Sequence, residues 1–103
     1  LAPPESLDLS TPLNFISTAD IIGGNSGSPV LDRDLEIVGV VFDGNVESLT
    51  GDYIYLPERN RSITVDSRAI LESLDEIFDF DRLVLELTSG ELVETEAEAD
   101  RRR

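Results

Sequence analysis

Apolar and polar residues follow a different order in the two halves of the chain, and the change lies near residue 66. Before it, short apolar runs rich in β-branched residues are separated by turn residues, which is typical of β-strands. Strands are predicted over residues 13–18, 29–31, 36–42, 53–56 and 63–65, with a loop over 43–52. We therefore expect a β body over residues 13–65, preceded by a Pro- and Ser-rich linker over residues 1–12.

After residue 66 the apolar residues recur at helical spacing, which predicts a helical part over residues 66–88. Asp66 is the predicted N-cap of a first helix. The apolar face of this helix holds Ala69, Ile70, Leu74, Ile77 and Phe78. A second helix is predicted over residues 81–87 and ends at the Thr-Ser-Gly of residues 88–90. Its predicted buried side holds Leu83, Val84 and Leu87. Residues 89–103 are charged and low in complexity, so we expect a disordered acidic tail.

Composition narrows the class of protein. The net charge of −14 on 103 residues disfavours nucleic acid and anionic membranes as partners. The chain has no cysteine and no calcium-loop spacing, so we expect no metal and no cofactor. The longest strongly apolar run, residues 37–42, is too short for a membrane span. The chain begins without Met or a charged leader, so we expect an interior piece of a longer protein.

A glycine-rich loop is the main candidate for chemistry. Residues 23–29 read Gly-Gly-Asn-Ser-Gly-Ser-Pro between two predicted strands. Ser26 on a tight turn can act as an acyl-transfer nucleophile, with the backbone N–H groups of Gly24 and Ser26 forming an oxyanion hole. The alternative is an ordinary turn. Because the chain has no histidine to accept the serine proton, either Ser26 is not catalytic or the rest of the catalytic machinery lies elsewhere.

Several segments together resemble a peptidase family. They are residues 15–21 (Phe-Ile-Ser-Thr-Ala-Asp-Ile), the glycine-rich loop, residues 38–45 (Val-Gly-Val-Val-Phe-Asp-Gly-Asn), 51–53 (Gly-Asp-Tyr), 60–68 (Asn-Arg-Ser-Ile-Thr-Val-Asp-Ser-Arg) and 81–83 (Asp-Arg-Leu). In this order they resemble the C-terminal barrel of chymotrypsin-fold serine peptidases, and more narrowly the bacterial dipeptidyl-peptidase 7 and 11 family. The resemblance covers residues 13–88. It implies a mostly β fold, the C-terminal half of a chymotrypsin-like double β-barrel, followed by one or two helices.

The same resemblance implies roles for individual residues. Ser26 is the implied nucleophile, and the amides of Gly24 and Ser26 are the implied oxyanion donors. Asp43 matches the position that helps to hold the N-terminal ammonium of the substrate, a task that suits a carboxylate. Gly44 matches the position that lines the pocket for the second substrate residue. Members that cut after acidic residues carry arginine there, so a glycine implies a preference for apolar residues. Asn25 departs from the aspartate of digestive-type members, so activation through an ion pair at that position is not expected.

The function implied by the resemblance is a serine exopeptidase that releases dipeptides from oligopeptides. The histidine and aspartate of its triad belong to an N-terminal barrel that has no counterpart here, so the chain is expected to be inactive alone. The implied partners are an oligopeptide substrate, that N-terminal barrel and a helical domain of the parent chain, and a second copy of the parent. The implied location is periplasmic or secreted.

Three alternatives stay open. Asp20 lies six residues before Ser26, where trypsin-like members read basic residues, although we interpret it as a loop residue. A quality-control endopeptidase also carries the Gly-Asn-Ser-Gly sequence. The third alternative is a noncatalytic module that binds peptides.

Overall fold

The computed structural model describes residues 4–103, which divide into two structural units. One unit is Pro12–Ala69, and the other combines the described residues up to Thr11 with Ile70–Arg103. Of the linker predicted over residues 1–12, residues 1–3 lie outside the described residues, and the rest contains turns but no helix or strand. None of the helices among the described residues has the length and apolar character needed to cross a membrane.

The described residues form four strands, β1 (Asn14–Ser17), β2 (Pro29–Leu31), β3 (Ile37–Gly44) and β4 (Ser62–Asp66), so four of the five predicted strands are confirmed. They make one antiparallel sheet in the order β1-β4-β3-β2. The predicted strand over residues 53–56 is wrong. A 3-10 helix, Val46–Asp52, precedes this stretch. The amides of Tyr53 and Ile54 then both donate to Thr50 O, at 3.1 and 3.0 Å, so the backbone turns instead of extending.

The longest strand, β3, lies between β2 and β4 and carries a bulge near its end. Its pairing with β4 runs from Gly39 opposite Asp66 to Gly44 opposite Ser62, and the register shifts between Val41 and Asp43. Phe42 is therefore the extra residue of a β-bulge, a device that redirects the side chains of a strand. The bulge lies immediately before Asp43 and Gly44, two of the predicted site residues.

Two of the helices begin and end close to the predicted positions. The first, α1 (Ser67–Glu76), is capped by Asp66, whose Oδ1 accepts from the Arg68 amide at 2.9 Å. It ends before Ile77 and Phe78, which are 48 % and 55 % exposed, so the predicted apolar face is shorter than expected. The second, α2 (Asp81–Ser89), ends at Gly90, whose φ of 76° is the left-handed conformation that closes many helices.

A third helix, α3 (Glu96–Arg102), lies where the sequence predicts a disordered tail over residues 89–103. Thr95 caps it, because the Thr95 hydroxyl accepts from the Glu98 amide at 3.2 Å. One turn later Glu98 pairs with Arg102 at 2.7 Å, a spacing that supports a helix. Local caps and charge pairs thus give helical order to a stretch whose composition suggests none.

Packing between α2 and α3 explains a second difference from the prediction. Leu85 of α2 forms a buried cluster with Val93 and with Ala99 of α3. The buried residues of α2 are consequently Val84 and Leu85, whereas the predicted Leu83 and Leu87 are exposed. The buried side of α2 was mispredicted because the sequence did not reveal α3, and the side of α2 that α3 covers cannot be identified from the sequence of α2 alone.

The predicted class of mostly β is corrected to a small antiparallel sheet combined with helices. The three α-helices hold more residues than the four strands. The difference comes from α3 and from the 3-10 helix, which together hold few apolar residues and so lack the periodicity that reveals helices in a sequence.

Candidate functional site

The glycine-rich loop connects β1 to β2 and is closed by its own backbone and by Asn25. The Asn25 amide donates to Ile22 O at 3.2 Å, and Asn25 Oδ1 accepts from the Ile22 amide at 2.8 Å. Gly24 and Gly27 have φ values of 103° and 90°, in the region that residues with a side chain rarely adopt. The glycines therefore serve the turn itself, and Asn25 is used to hold the loop rather than to form an ion pair.

This loop is attached to β3 beside the bulge. The Gly27 amide donates to Val41 O at 2.8 Å, and the Val41 amide donates to Ser28 O at 3.0 Å. Ser26 immediately precedes these two attachments, and its hydroxyl donates to Phe42 O over a long 3.4 Å. Tertiary pairing thus brings a serine from one loop to a strand end that is 16 residues away in sequence.

The two amides predicted as oxyanion donors make no hydrogen bond to the described part of the protein. Among residues 4–103, neither the Gly24 amide nor the Ser26 amide donates to a protein acceptor. Their neighbours Asn25, Gly27 and Ser28 all use their amides within the loop or toward β3. The turn therefore leaves free two donors that lie on either side of Asn25.

A cavity of about 320 Å³ brings most of the predicted site together. Ser26, Asp43 and Gly44 all line it, while Gly24 belongs to the same loop but not to the lining. The other lining residues are Ile21, Ile22, Gly23, Asn25, Val41, Phe42, Asn45, Ser48, Leu49 and Asp52. Asp20 is exposed and is not among them, which removes the geometric support for a basic-specific pocket built on that residue.

The cavity carries negative charge and no compensating cation. Asp43 and Asp52 both line it, and its lining includes no lysine or arginine. Asp43 Oδ1 accepts from the Gly44 amide at 2.8 Å, and its second carboxylate oxygen has no protein partner among the described residues. Such a wall attracts an ammonium group and repels a carboxylate. Within residues 4–103 no cluster of acidic side chains is arranged to hold a metal ion.

Two further lining residues, Asn45 and Ser48, were missed by the sequence interpretation, which took residues 43–52 as a loop. Asn45 Oδ1 accepts from the amides of Ser48 and Arg61 at 3.2 and 3.0 Å, and Asn45 Nδ2 donates to Arg59 O at 2.7 Å. Asn45 therefore caps the 3-10 helix and ties it to the segment before β4. An asparagine that follows a strand and precedes a short polar segment is the signal that could have revealed this cap.

Comparison with known proteins places the chain among peptidases. Residues 5–89 match the family described as Peptidase S46. The chain is 42% identical over 87 residues to an Asp/Glu-specific dipeptidyl-peptidase of Shewanella putrefaciens, covering 84% of this chain and 12% of that protein. It is 45% identical over 73 residues to dipeptidyl-peptidase 7 of Porphyromonas gingivalis, covering 71% of this chain and 10% of that protein.

A solved structure shares the fold. The crystal structure of Porphyromonas endodontalis DPP11 in complex with the dipeptide Arg-Asp superposes with a TM-score of 0.71 at 42% identity, covering 75% of this chain and 11% of that chain. The chain thus spans about a tenth of the length of the curated relatives that it matches.

Proposed function

Because the chain belongs to the peptidase S46 family, we propose that it is the nucleophile-bearing segment of a serine dipeptidyl-peptidase. That peptidase removes dipeptides from the free N-terminus of oligopeptides and prefers an apolar second residue. The observation that carries the proposal is the single cavity lined by Ser26, Asp43 and Gly44. It joins a nucleophile, an anchor for an ammonium group and a neutral pocket wall.

In this proposal the Ser26 hydroxyl attacks the carbonyl carbon that follows the second substrate residue. The negative charge that develops on the carbonyl oxygen is stabilised by the amides of Gly24 and Ser26, whose lack of protein acceptors supports this role. The chain contains no histidine, so the base that accepts the Ser26 proton comes from another part of the peptidase. The segment alone is therefore inactive.

Asp43 is proposed to hold the substrate ammonium and so to make the enzyme an exopeptidase. Its free carboxylate oxygen and the absence of a cation in the lining support the assignment. A charge-assisted hydrogen bond to an ammonium group is stronger than a neutral one, which favours substrates with an unblocked N-terminus. An endopeptidase of the quality-control type would gain nothing from this carboxylate.

The preference for an apolar second residue follows from the character of the cavity wall. Gly44 supplies neither bulk nor charge, and Ile21, Phe42 and Leu49 are among the apolar lining residues. A substrate carboxylate placed there would lose its hydration without gaining a partner, which is costly. The proposed preference differs from the description of the Shewanella putrefaciens relative as Asp/Glu-specific.

The exposed surface of the sheet fits a segment that completes a larger fold. β1 and β2 are edge strands, and the apolar side chains of Ile16, Ile37 and Phe42 are 67 %, 60 % and 44 % exposed. We take the sheet as part of the C-terminal half of a chymotrypsin-like double β-barrel, with the N-terminal barrel and a helical domain supplied by the parent chain. A dimer of the parent and a periplasmic or secreted location complete this proposal.

The test uses the full-length peptidase that carries this chain and fluorogenic dipeptidyl substrates with apolar, acidic or basic second residues. Apolar substrates with a free N-terminus should be cleaved fastest, and their N-acetylated forms should not be cleaved. Ser26→Ala should lower kcat by roughly 10⁶. Ser28→Ala is the matched control, because Ser28 belongs to the same loop but does not line the cavity.

Each contrary outcome favours a named alternative. Cleavage of acetylated substrates would indicate an endopeptidase, and faster cleavage after basic residues would indicate the trypsin-like specificity. A protein that binds these peptides without cleaving any of them would be a noncatalytic module. Retention of activity in Ser26→Ala would remove the serine mechanism.

A further inference from the structure

Ser48 occupies the space that a side chain at position 44 would take. Gly44 is not among the described glycines with positive φ, so its backbone is compatible with any L-residue. A Cβ built on Gly44 would overlap Ser48 Oγ, whereas it would lie 3.4 Å from both Ser48 Cβ and Arg61 O. These longer distances are ordinary van der Waals contacts, so within residues 4–103 the Ser48 hydroxyl is the obstruction.

The Ser48 hydroxyl is held in its place by the cap of the 3-10 helix. Ser48 Oγ donates to Asn45 O at 2.6 Å, and the Ser48 amide donates to the same carbonyl oxygen at 3.0 Å. The amide also contacts Asn45 Oδ1 at 3.2 Å. Turning the hydroxyl away from position 44 therefore breaks a hydrogen bond without moving the helix that carries it.

The held hydroxyl also has a chemical consequence for the cavity, which Gly44 and Ser48 both line. A hydroxyl has a single proton, and that of Ser48 is given to Asn45 O, so only its lone pairs can face a ligand. Asp43 and Asp52 add two carboxylates to the same cavity. The surroundings of Gly44 consequently offer acceptors, and an acidic substrate side chain finds no charged donor there.

We infer that Ser48 is a second specificity-determining residue, which acts with Gly44 to keep the pocket for the second substrate residue free of a cation. Its hydroxyl blocks a side chain at position 44 and supplies no donor of its own. A cation introduced at position 44 becomes effective only when the Ser48 hydroxyl is removed. The substrate assignment in this inference rests on the proposed function, whereas the contact between the two residues does not.

The contact is tested by thermal unfolding of the full-length protein carrying Gly44→Ala, Ser48→Ala or both. Gly44→Ala alone should lower Tm by a few degrees, because the new methyl group meets the hydroxyl. The same change in a Ser48→Ala background should have no effect on Tm. The matched control is Thr50→Ala, since the Thr50 hydroxyl donates to Glu47 O at 3.0 Å on the same helix but lies outside the cavity lining. If Gly44→Ala lowers Tm equally with Ser48 present and in the Ser48→Ala background, the proposed steric contact between positions 44 and 48 is wrong.

Specificity is tested with Gly44→Arg, alone and combined with Ser48→Ala, on substrates with Leu or Asp as second residue. We expect kcat/KM for the Asp substrate to be at least about tenfold higher in the double variant than in Gly44→Arg alone. Combining Gly44→Arg with Thr50→Ala should not raise it. Equal values for the single and double variants would overturn the specificity role of Ser48.

The two measurements separate this inference from the function on which it rests. If the unsubstituted protein cleaves none of the substrates, the proposed function fails and the specificity role of Ser48 fails with it. The thermal unfolding measurements test the contact between Gly44 and Ser48 whether or not the protein cleaves these substrates. If the unsubstituted protein cleaves apolar substrates and the two variants behave alike, the function stands and the role of Ser48 is wrong.

Discussion

Glycines lie near both ends of β3, and a side chain would meet a different obstacle at each position. A Cβ at Gly39 would overlap Val65 O and lie 2.5 Å from the Thr64 methyl carbon, so backbone and a fully buried side chain exclude it. At Gly44 the obstruction is one serine hydroxyl, which can turn away only by giving up its hydrogen bond to Asn45 O. One end is therefore determined by the packing of the sheet, and the other by a side chain that a single substitution can remove.

The residues around the two glycines also differ, since those at Gly39 are buried in the sheet and those at Gly44 border the cavity. Gly39 pairs with Asp66, which is 3 % exposed and caps α1. Gly44 follows a bulge, borders the cavity and is succeeded by Asn45, whose amide side chain ties the 3-10 helix to residues 59–61. Backbone and a buried side chain therefore limit substitution at Gly39, whereas a side chain of the cavity wall limits it at Gly44.

Gly39→Ala should have the largest effect on stability of the substitutions near the two ends of β3. Overpacking against backbone cannot be relieved by rotating a side chain, so we expect a loss of about 2–3 kcal/mol in the free energy of unfolding. Denaturant titration of the protein measures it. Gly23→Ala is the control, because a Cβ at Gly23 would meet nothing within 4 Å and its φ is not positive. Similar losses for the two variants would show that β3 adjusts freely at Gly39.

Asn45→Ala tests the other end of β3. The change removes the acceptor for the Ser48 and Arg61 amides and the donor to Arg59 O, so we expect a loss of about 1–2 kcal/mol. Asn45→Asp keeps both acceptors and should lose less stability. If the full-length protein is the proposed peptidase, Asn45→Ala should also raise KM more than it lowers kcat, since the 3-10 helix forms one wall of the cavity. An unchanged KM would argue that this wall does not contact substrate.

The smallest expected effect concerns the charge beside Gly39. The side-chain hydrogen bond from Arg68 lowers the pKa of Asp66 below its ordinary value, and burial opposes this shift. A lowered pKa in the folded state stabilises the fold above the unfolded pKa, about pH 4, and this contribution is lost as the pH falls through the folded value. The stability difference between the protein and Asp66→Asn should therefore be constant near neutral pH and shrink on acidification below about pH 4.

Unfolding midpoints measured over a pH series check this prediction. Arg68→Gln is the companion variant, because it removes the guanidinium but leaves the hydrogen bond from the amide of residue 68 to Asp66. It should weaken the pH dependence without abolishing it. A stability difference that is independent of pH would mean that the Asp66 charge contributes nothing at this end of β3.

Local pattern was sufficient to predict most of the regular elements. Apolar runs revealed the four strands, while Asp66 and Gly90 marked one end each of α1 and α2. The two wrong predictions, the strand over residues 53–56 and the disordered tail in place of α3, share a cause. Residues 53–56 look like a strand, but the amides of Tyr53 and Ile54 donate to Thr50 O. The polar helix α3 is capped by Thr95 and also buries Ala99 against Leu85. In both places the backbone follows hydrogen bonds and contacts that the apolar pattern does not show.

For the candidate site, the sequence by itself determined which functional groups this chain supplies and which it lacks. The Gly-Asn-Ser-Gly turn, the uncharged residue at position 44 and the lack of histidine are properties of composition and order alone. Only the tertiary structure decided that Ser26, Asp43 and Gly44 share a cavity and that the Ser48 hydroxyl lies against Gly44. The shared cavity depends on the pairing of the glycine-rich loop with Val41 and on the bulge at Phe42, which are distant contacts that no local periodicity encodes. The position of the Ser48 hydroxyl depends on Asn45, which is itself tied to residues 59–61.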